Sequence, residues 1–211
     1  MRLAALLLLA STSFAAAETV DCEALKNSTI PYQISWKYSN DDSPNVEVNI
    51  VQVYRDKSGD SIVWRKTTFL PGLIEVVKGV IVDGVGYDAV STNSQTGLRK
   101  SKGSYQGLPK AFDRKSDLTY TSKITITSAD GSIRESAATI SYHFVNESQK
   151  AIGPCLFTVI QGETTNVIDG KQRSPHATYY IGELKSTSLF PANDNTEFEL
   201  STSFTPLELL K

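Results

Sequence analysis

This chain predicts a mainly β fold: a curved antiparallel sheet, a half-barrel or open barrel, of about ten strands with one or two short helices. A β-sandwich is the alternative. Two observations carry that expectation. Runs in which apolar and polar residues strictly alternate recur along the sequence, bounded by Gly, Pro, Asn and Asp, while helix-spaced stretches are short and few. A third observation places the fold, because the chain opens like a secretory leader and carries two cysteines after it.

Met1-Arg2, the Leu/Ala run from Leu3 to Ala10 and the small residues Ala15-Ala16-Ala17 are the three parts of a signal peptide. The apolar run is shorter than the roughly 20 residues a bilayer crossing takes, so no transmembrane segment is expected. Cleavage after Ala17 leaves 211 − 17 = 194 residues, 18–211, a length that suits one β-rich domain. A lipid anchor on Cys22 is disfavoured by Thr19-Val20-Asp21, since such sites have small and aliphatic residues before the cysteine. Loss of Arg2 takes the formal charge from −2 to −3, which leaves no global footprint for nucleic acid. Cys22 and Cys155 are expected to pair in an oxidising compartment, stapling the mature N-terminus to the sheet across 155 − 22 = 133 residues. They lack the Cys-x-x-Cys spacing of a redox pair.

Asp21 caps a short helical turn over Cys22–Lys26, ended by Asn27 and Ser28. Ile30 to Tyr38 alternates strictly and reads as a half-buried strand. In Val46 to Tyr54 the apolar phase changes after Ile50, which predicts a β-bulge or a strand buried on different faces at its two ends. A third strand, Ser61 to Leu70, carries Trp64. Leu73 to Val82 is apolar on both faces, with Ile74, Val76, Val80 and Val82 on one and Leu73, Val77 and Ile81 on the other. Such a strand is covered on both sides or lines an apolar cavity. Tyr87 to Val90 returns from it, and a long polar connection is expected from Ser91 to Ser116, with one helical turn near Pro109.

Leu118 to Ser128 and the strand after it both alternate cleanly. Their apolar faces coincide only if the loop between them has three residues, Ala129-Asp130-Gly131, with Gly131 in the left-handed position of a type I turn with a G1 bulge. That sets Tyr120 opposite Ile140 and Leu118 opposite Tyr142. A turn is expected over Asn146–Lys150, a strand from Cys155 to Gln161, and a polar segment from Gly162 to Pro175. Strands over Ala177–Leu184, extended towards Phe190, and over Thr196–Phe204 complete the chain.

Chemistry is sparsely encoded. Gly84-Val85-Gly86-Tyr87-Asp88-Ala89 fits G-x-G-x-x-A, but Val90-Ser91-Thr92-Asn93-Ser94 is poor material for the helix that motif requires. His143 and His176 are the only histidines, and with the cysteines bridged no multi-ligand zinc site can be assembled, so neither metal nor cofactor is expected. No local pattern supplies a nucleophile and an orienting carboxylate to a histidine, so catalytic residues are not assigned. Arg99, Lys100, Lys102, Lys110, Arg114 and Lys115 against Asp113 alone make 99–115 locally +5. A solvated loop is the ordinary reading of such a run; a basic flap for anionic headgroups, cell-wall polymers or a partner is the functional one. Trp36 and Trp64 are core residues first and ligand platform second. Asn27-Ser28-Thr29 and Asn146-Glu147-Ser148 have the form of glycosylation sequons, relevant only to a eukaryotic source; the leader reads as bacterial.

Pro31-Tyr32-Gln33-Ile34-Ser35-Trp36, the Val-rich strand 73–82, Gly153-Pro154-Cys155 and Tyr179-Tyr180-Ile181-Gly182-Glu183-Leu184 together resemble small bacterial periplasmic β-domains of the lipoprotein-carrier type and related envelope proteins. The resemblance spans most of the mature chain as strand order and scattered residues, and carries over no functional residue. It implies an unclosed barrel whose concave apolar face holds acyl chains. The basic 91–116 segment departs from that pattern, and a helix plugging the concavity is not evident.

The expected function is therefore a non-enzymatic periplasmic or extracellular protein that binds a lipid-like ligand or an envelope partner. Trp36, Trp64, Ile74, Val76, Val80 and Val82 are the candidate cavity residues. A structural or interaction module without a cavity is the second reading, and a secreted hydrolase the third.

Overall fold

The computed structural model describes residues 20–27, 29–40, 43–56, 60–69, 72–82, 85–109, 112–188 and 196–210; the expected leader lies outside them. One short helix, α1 (Cys22–Asn27), precedes thirteen strands among the described residues. These are β1 (Tyr32–Asn40), β2 (Ser43–Arg55), β3 (Asp60–Phe69), β4 (Leu73–Val82), β5 (Val85–Asn93), β6 (Gly97–Gln106), β7 (Leu118–Ser128), β8 (Ile133–Ile152), β9 (Cys155–Ile168), β10 (Lys171–Gln172), β11 (His176–Ile181), β12 (Ser186–Ser188) and β13 (Phe198–Ser201). All belong to one antiparallel sheet in the order β12-β11-β9-β8-β7-β6-β5-β4-β3-β2-β1-β13, with β10 paired to β9. The sheet is a long meander that does not close into a barrel.

Several elements follow directly from local sequence. Asp21 caps α1, its carboxylate accepting from the Ala24 amide at 3.0 Å, as short polar side chains do at helix starts. β4 has the bounds its apolar run predicts and β7 those its alternation predicts. Leu118 lies opposite Tyr142 and Tyr120 opposite Ile140. Ser128 bonds across to Ser132, and Gly131 sits at φ +82° in the three-residue loop between them.

Three expectations are corrected for one reason, that polar composition predicts loop where strand pairing holds the backbone, and the others follow with them. The polar connection 91–116 contains β6, bonded to β5 and β7 along its length. The described residues 107–109 and 112–117 hold no helix, and 110–111 lie outside the described residues. Asn146–Lys150 is not a turn, because β8 runs on to Ile152 with a bulge at Phe144–Asn146, and the turn falls at Gly153-Pro154. β9 likewise continues through Thr164, Thr165 and Asn166 to Ile168. In β2 no bulge accompanies the phase change; pairing with β1 and β3 is continuous there, and the irregularity lies at Ser39–Asn40. The strand begun at His176 ends at Ile181 and turns into β12, and β13 spans only Phe198–Ser201.

The phase change in β2 instead records burial on both faces. Val53 packs inward, while Gln52 points outward yet is 1% exposed. Gln52 clasps the C-terminal tail: Nε2 donates to the Thr205 carbonyl at 2.8 Å and Oε1 accepts from the Leu207 amide at 2.9 Å. Phe204 meets Tyr54 edge-on at 6.0 Å, and the Leu210 amide donates to Thr92 Oγ1 on β5. The tail thus straps the outer face from β2 to β5. Its end at Thr92, the cross-strand partner of Val76, accounts for the burial of Val76 on that side.

The core shows how the sheet curls. Val159 and Ile181 are cross-strand partners, and both pack with Tyr32, Ile34 and Trp36 of β1, with Phe157 and with Leu184. The next pair, Ile160 and Tyr180, points the opposite way, towards Tyr142 of β8. The β9–β11 end of the sheet is therefore tucked inside the curl with both faces covered. Gly162 makes room for the Tyr142 ring: a Cβ there would stand 2.1 Å from it. The Phe144–Asn146 bulge lies opposite it and sharpens the local twist. The Cys22–Cys155 disulfide then holds α1 against this core, with Leu25 at 0% exposure.

Two outcomes follow. Gly162→Ala should lower stability by about 1–3 kcal/mol through overpacking, and Tyr142→Ala should relieve most of that cost in a double-mutant cycle of urea melts. Replacing both cysteines by serine should lower stability by about 4–5 kcal/mol on chain-entropy grounds, read from unfolding free energies extrapolated to water, with a steeper urea slope because the uncrosslinked unfolded chain exposes more surface.

Candidate functional site

The inward face of β1–β7 lines an open-mouthed cavity of about 370 Å³. Its walls are Ile34, Trp36, Val51, Val53, Val63, Val77, Ile81 and Ile124, with Ile181 closing the far side. The hollow exists because small residues line up across the sheet. Val63 pairs with Gly79, Gly79 with Ala89 and Ala89 with Ser101, so one row across β3–β6 has almost no side chain to fill the concavity. Gly103 lies in the same lining, with the Tyr105 ring folded over it. Protein interiors are otherwise close-packed, so a row of this kind opens space that neighbouring side chains do not reach.

Few polar groups meet the cavity. Arg65 faces it and approaches Glu75 at 3.7 Å. Tyr105 donates its hydroxyl hydrogen bond to the Gly86 carbonyl and packs edge-on against Tyr87 at 5.1 Å. Burial pushes the Tyr105 phenol up to about 12, helped by the neighbouring Tyr120 and Tyr87. Tyr32, 1% exposed, is also pushed up to about 12 by burial, opposed by its hydrogen bond with Ser186 and by Arg55. Arg55 lies over the Tyr32 ring at 5.4 Å and donates to the Leu25 carbonyl at 2.6 Å, tying α1 to β2.

A second cavity of about 380 Å³ lies beyond β11 and β12, between them and the inward face of β7–β9. Leu108, Phe112 and Arg114 line its end. Phe112 packs edge-on against Tyr142 at 5.3 Å, and the Tyr142 hydroxyl donates to the Arg114 carbonyl at 2.9 Å. The Arg114 guanidinium stacks on Tyr180 at 3.9 Å, donates to the Phe112 carbonyl, and is 4% exposed. Thr187 lines both cavities, and the rings of Tyr105 and Tyr120, one from each, lie 6.1 Å apart.

The six residues expected to form cavity wall divide between the two sides of the sheet. Trp36 and Val80 line the first cavity, Val80 at its mouth beside Gly86, Tyr87 and Asp88. Trp64, Ile74, Val76 and Val82 are not in its lining; Trp64 carries Lys78 over its ring at 4.8 Å. The face of β4 that does line the cavity is the one bearing Val77, Gly79 and Ile81. Sequence alone offered a clue in Gly79, Ala89 and Ser101, small residues at one phase of adjacent strands, but only register shows that they adjoin.

The basic residues do not form one surface either. Arg99, Lys100 and Lys102 stand exposed on β6. Arg114 is buried, Lys115 pairs with Glu147 at 2.6 Å, and Lys110 lies outside the described residues. His143 does find a carboxylate that sequence reasoning missed. Asp117, 26 residues away, meets its Nδ1 at 2.8 Å and accepts from the Phe144 amide. The hydrogen bonds from His143 and the Phe144 amide hold Asp117 below the usual carboxylate range. Both side chains are about two-thirds exposed, and the nearby hydroxyls of Thr119 and Ser141 bond to each other, so no enclosed reaction site surrounds the pair. Among the described residues no three His, Cys, Asp or Glu side chains gather as a metal site, and no helix is long and apolar enough to cross a membrane.

No protein-family model, curated protein or solved structure matches this chain. What the site does must be argued from its own geometry.

The two tyrosines give a pH dependence with a definite sign. A phenol whose folded-state pKa is raised favours the protonated form, so its contribution is complete below the unfolded value near 10. It is lost as pH climbs towards 12. The urea midpoint should therefore fall steeply between pH 10 and 12, and Tyr32→Phe should flatten that fall more than Tyr54→Phe.

Proposed function

We propose that this protein is a non-enzymatic secreted or periplasmic binder of an apolar or amphipathic ligand, held on the concave face of its sheet. The supporting observation is the cavity walled by Ile34, Trp36, Val51, Val53, Val63, Val77 and Ile81. Its volume lies within the roughly 300–1,000 Å³ of small-molecule sites, and an apolar wall with a few placed polar groups is their usual make-up. Hydrocarbon entering it is removed from water at a gain of about 25 cal/mol per Å². The internal disulfide fits an oxidising compartment, and the likeness to carrier-type envelope domains points the same way.

Native mass spectrometry of the protein purified from its own envelope fraction tests this reading. Extra mass that organic extraction removes is expected for the wild type. Val77→Trp, which puts an indole into the hollow, should weaken retention of an apolar ligand about tenfold or more while leaving the circular dichroism unchanged. A bare-chain mass for the wild type, with no uptake of added dodecyl amphiphiles, would turn the reading towards an interaction module.

A further inference from the structure

The outer face of the sheet, opposite the row Val63–Gly79–Ala89–Ser101, carries an amphipathic surface. Register sets Trp64, Lys78, Val90, Lys100, Thr127 and Ile133 in one row across β3–β8. The next row holds Ile62, Val80, Asp88 and Lys102. Four of the seven exposed large apolar side chains among the described residues lie on this face: Ile62, Val80, Leu98 and Ile133, the last 70% exposed. Single exposed apolar residues are ordinary on a protein surface, but these are gathered on one side and interleaved with lysines. Lys78, Lys100 and Lys102 are exposed and Lys66 is half-buried, while Asp88 and Glu208 of the tail strap are exposed acids beside them, four lysines to two acids among the described side chains. Further along, Lys123 and Glu135 pair at 3.0 Å and cancel each other.

We propose that this outer face docks on the surface of an anionic phospholipid bilayer. Such a surface engages both parts of the patch, because ammonium groups meet lipid phosphates while apolar side chains enter the boundary beneath them. An acidic protein or polymer would engage the lysines and leave Ile62 and Ile133 in water. Lysine stems also lie along apolar neighbours while their heads stay in the polar layer, and the Lys78 ammonium already lies over the Trp64 ring at 4.8 Å. Val80 belongs both to this patch and to the mouth of the first cavity, beside Gly86, Tyr87 and Asp88. Docking therefore brings that mouth to the membrane, where an amphiphile passes between bilayer and cavity without crossing water. The choice of a lipid surface rests in this respect on the reading of the cavity as an amphiphile site, whereas the charges and exposed side chains of the patch do not.

Vesicle co-sedimentation of the mature protein tests this, with vesicles of equal parts phosphatidylglycerol and phosphatidylcholine set against pure phosphatidylcholine. The mixed vesicles should bind about tenfold or more tighter, and the difference should vanish in about 1 M salt, where the screening length falls to about 3 Å. Lys100→Gln with Lys102→Gln should weaken binding to the mixed vesicles about 25-fold, about fivefold for each basic side chain at an anionic surface. Ile133→Ser should weaken it about threefold, and Ile133→Trp should give a blue-shifted emission on the mixed vesicles. These positions are exposed, and an unchanged circular dichroism spectrum shows that each variant folds. No binding to the mixed vesicles, equal binding to both kinds, or unchanged binding by the double lysine variant would overturn the proposal. Polyglutamate bound as tightly as the vesicles, with Ile133→Ser without effect, would also overturn it and make the face a site for an acidic polymer. Val77→Trp, on the inward face, should leave vesicle binding unchanged. Vesicle binding without ligand retention would therefore overturn the cavity reading alone, and ligand retention without vesicle binding the docking surface alone.

Discussion

The packing of the Tyr142 ring on Gly162 is the contact on which the rest of this structure depends. A Cβ at that position would collide with the ring, so glycine lets Tyr142 of β8 lie against β9 beside the bulge at Phe144–Asn146. Alternate residues of β9 and β11 face opposite interiors. Val159 and Ile181 complete the core with β1, and Ile160 and Tyr180 face the second chamber. A flat sheet would leave one of those sets in water. The curl converts a single meander into a structure with two hollows, and burial of apolar surface on both sides of its edge supplies the driving force.

The disulfide and α1 act at the same place. Cys155 opens β9, and its bond to Cys22 brings Leu25 into the core beside Phe157 and Leu184. Arg55 then ties the helix to β2 through the Leu25 carbonyl. The N-terminal helix therefore seals one end of the curl, and the tail held by Gln52 covers the opposite surface of β2. Both chain ends serve the same sheet from different sides. That arrangement explains how a sheet of this length is protected without closing into a barrel.

Against that well-packed end, the row Val63–Gly79–Ala89–Ser101 is conspicuously underfilled. Leaving space in a domain core forgoes stability, and here the space is walled by valines and isoleucines beside the packed end of the sheet. The second chamber differs in its walls, which are mostly tyrosine, threonine and Asn166.

Much of this was legible from the residues alone, wherever the deciding physics is local. The apolar run 73–82 gave the bounds of β4 and alternation those of β7, and face parity with Gly131 decided the loop length and register of the β7–β8 hairpin. Cysteine count and the apparent leader pointed to the Cys22–Cys155 bond. Asp21 marked the start of α1. Tertiary structure decided the rest, because it turns on neighbours distant in sequence. β6 and the far ends of β8 and β9 are polar segments that become strands because neighbouring strands bond their backbones: β6 lies between β5 and β7, and the far end of β8 pairs with β9. Which face of β4 meets the cavity depends on the direction of the curl, so Val77, Gly79 and Ile81 form wall and the candidates Ile74, Val76 and Val82 do not. The meeting of Arg114, Asn166 and Tyr180 requires the edge of the sheet to fold inside, and no periodicity in the chain encodes where an edge will come to rest.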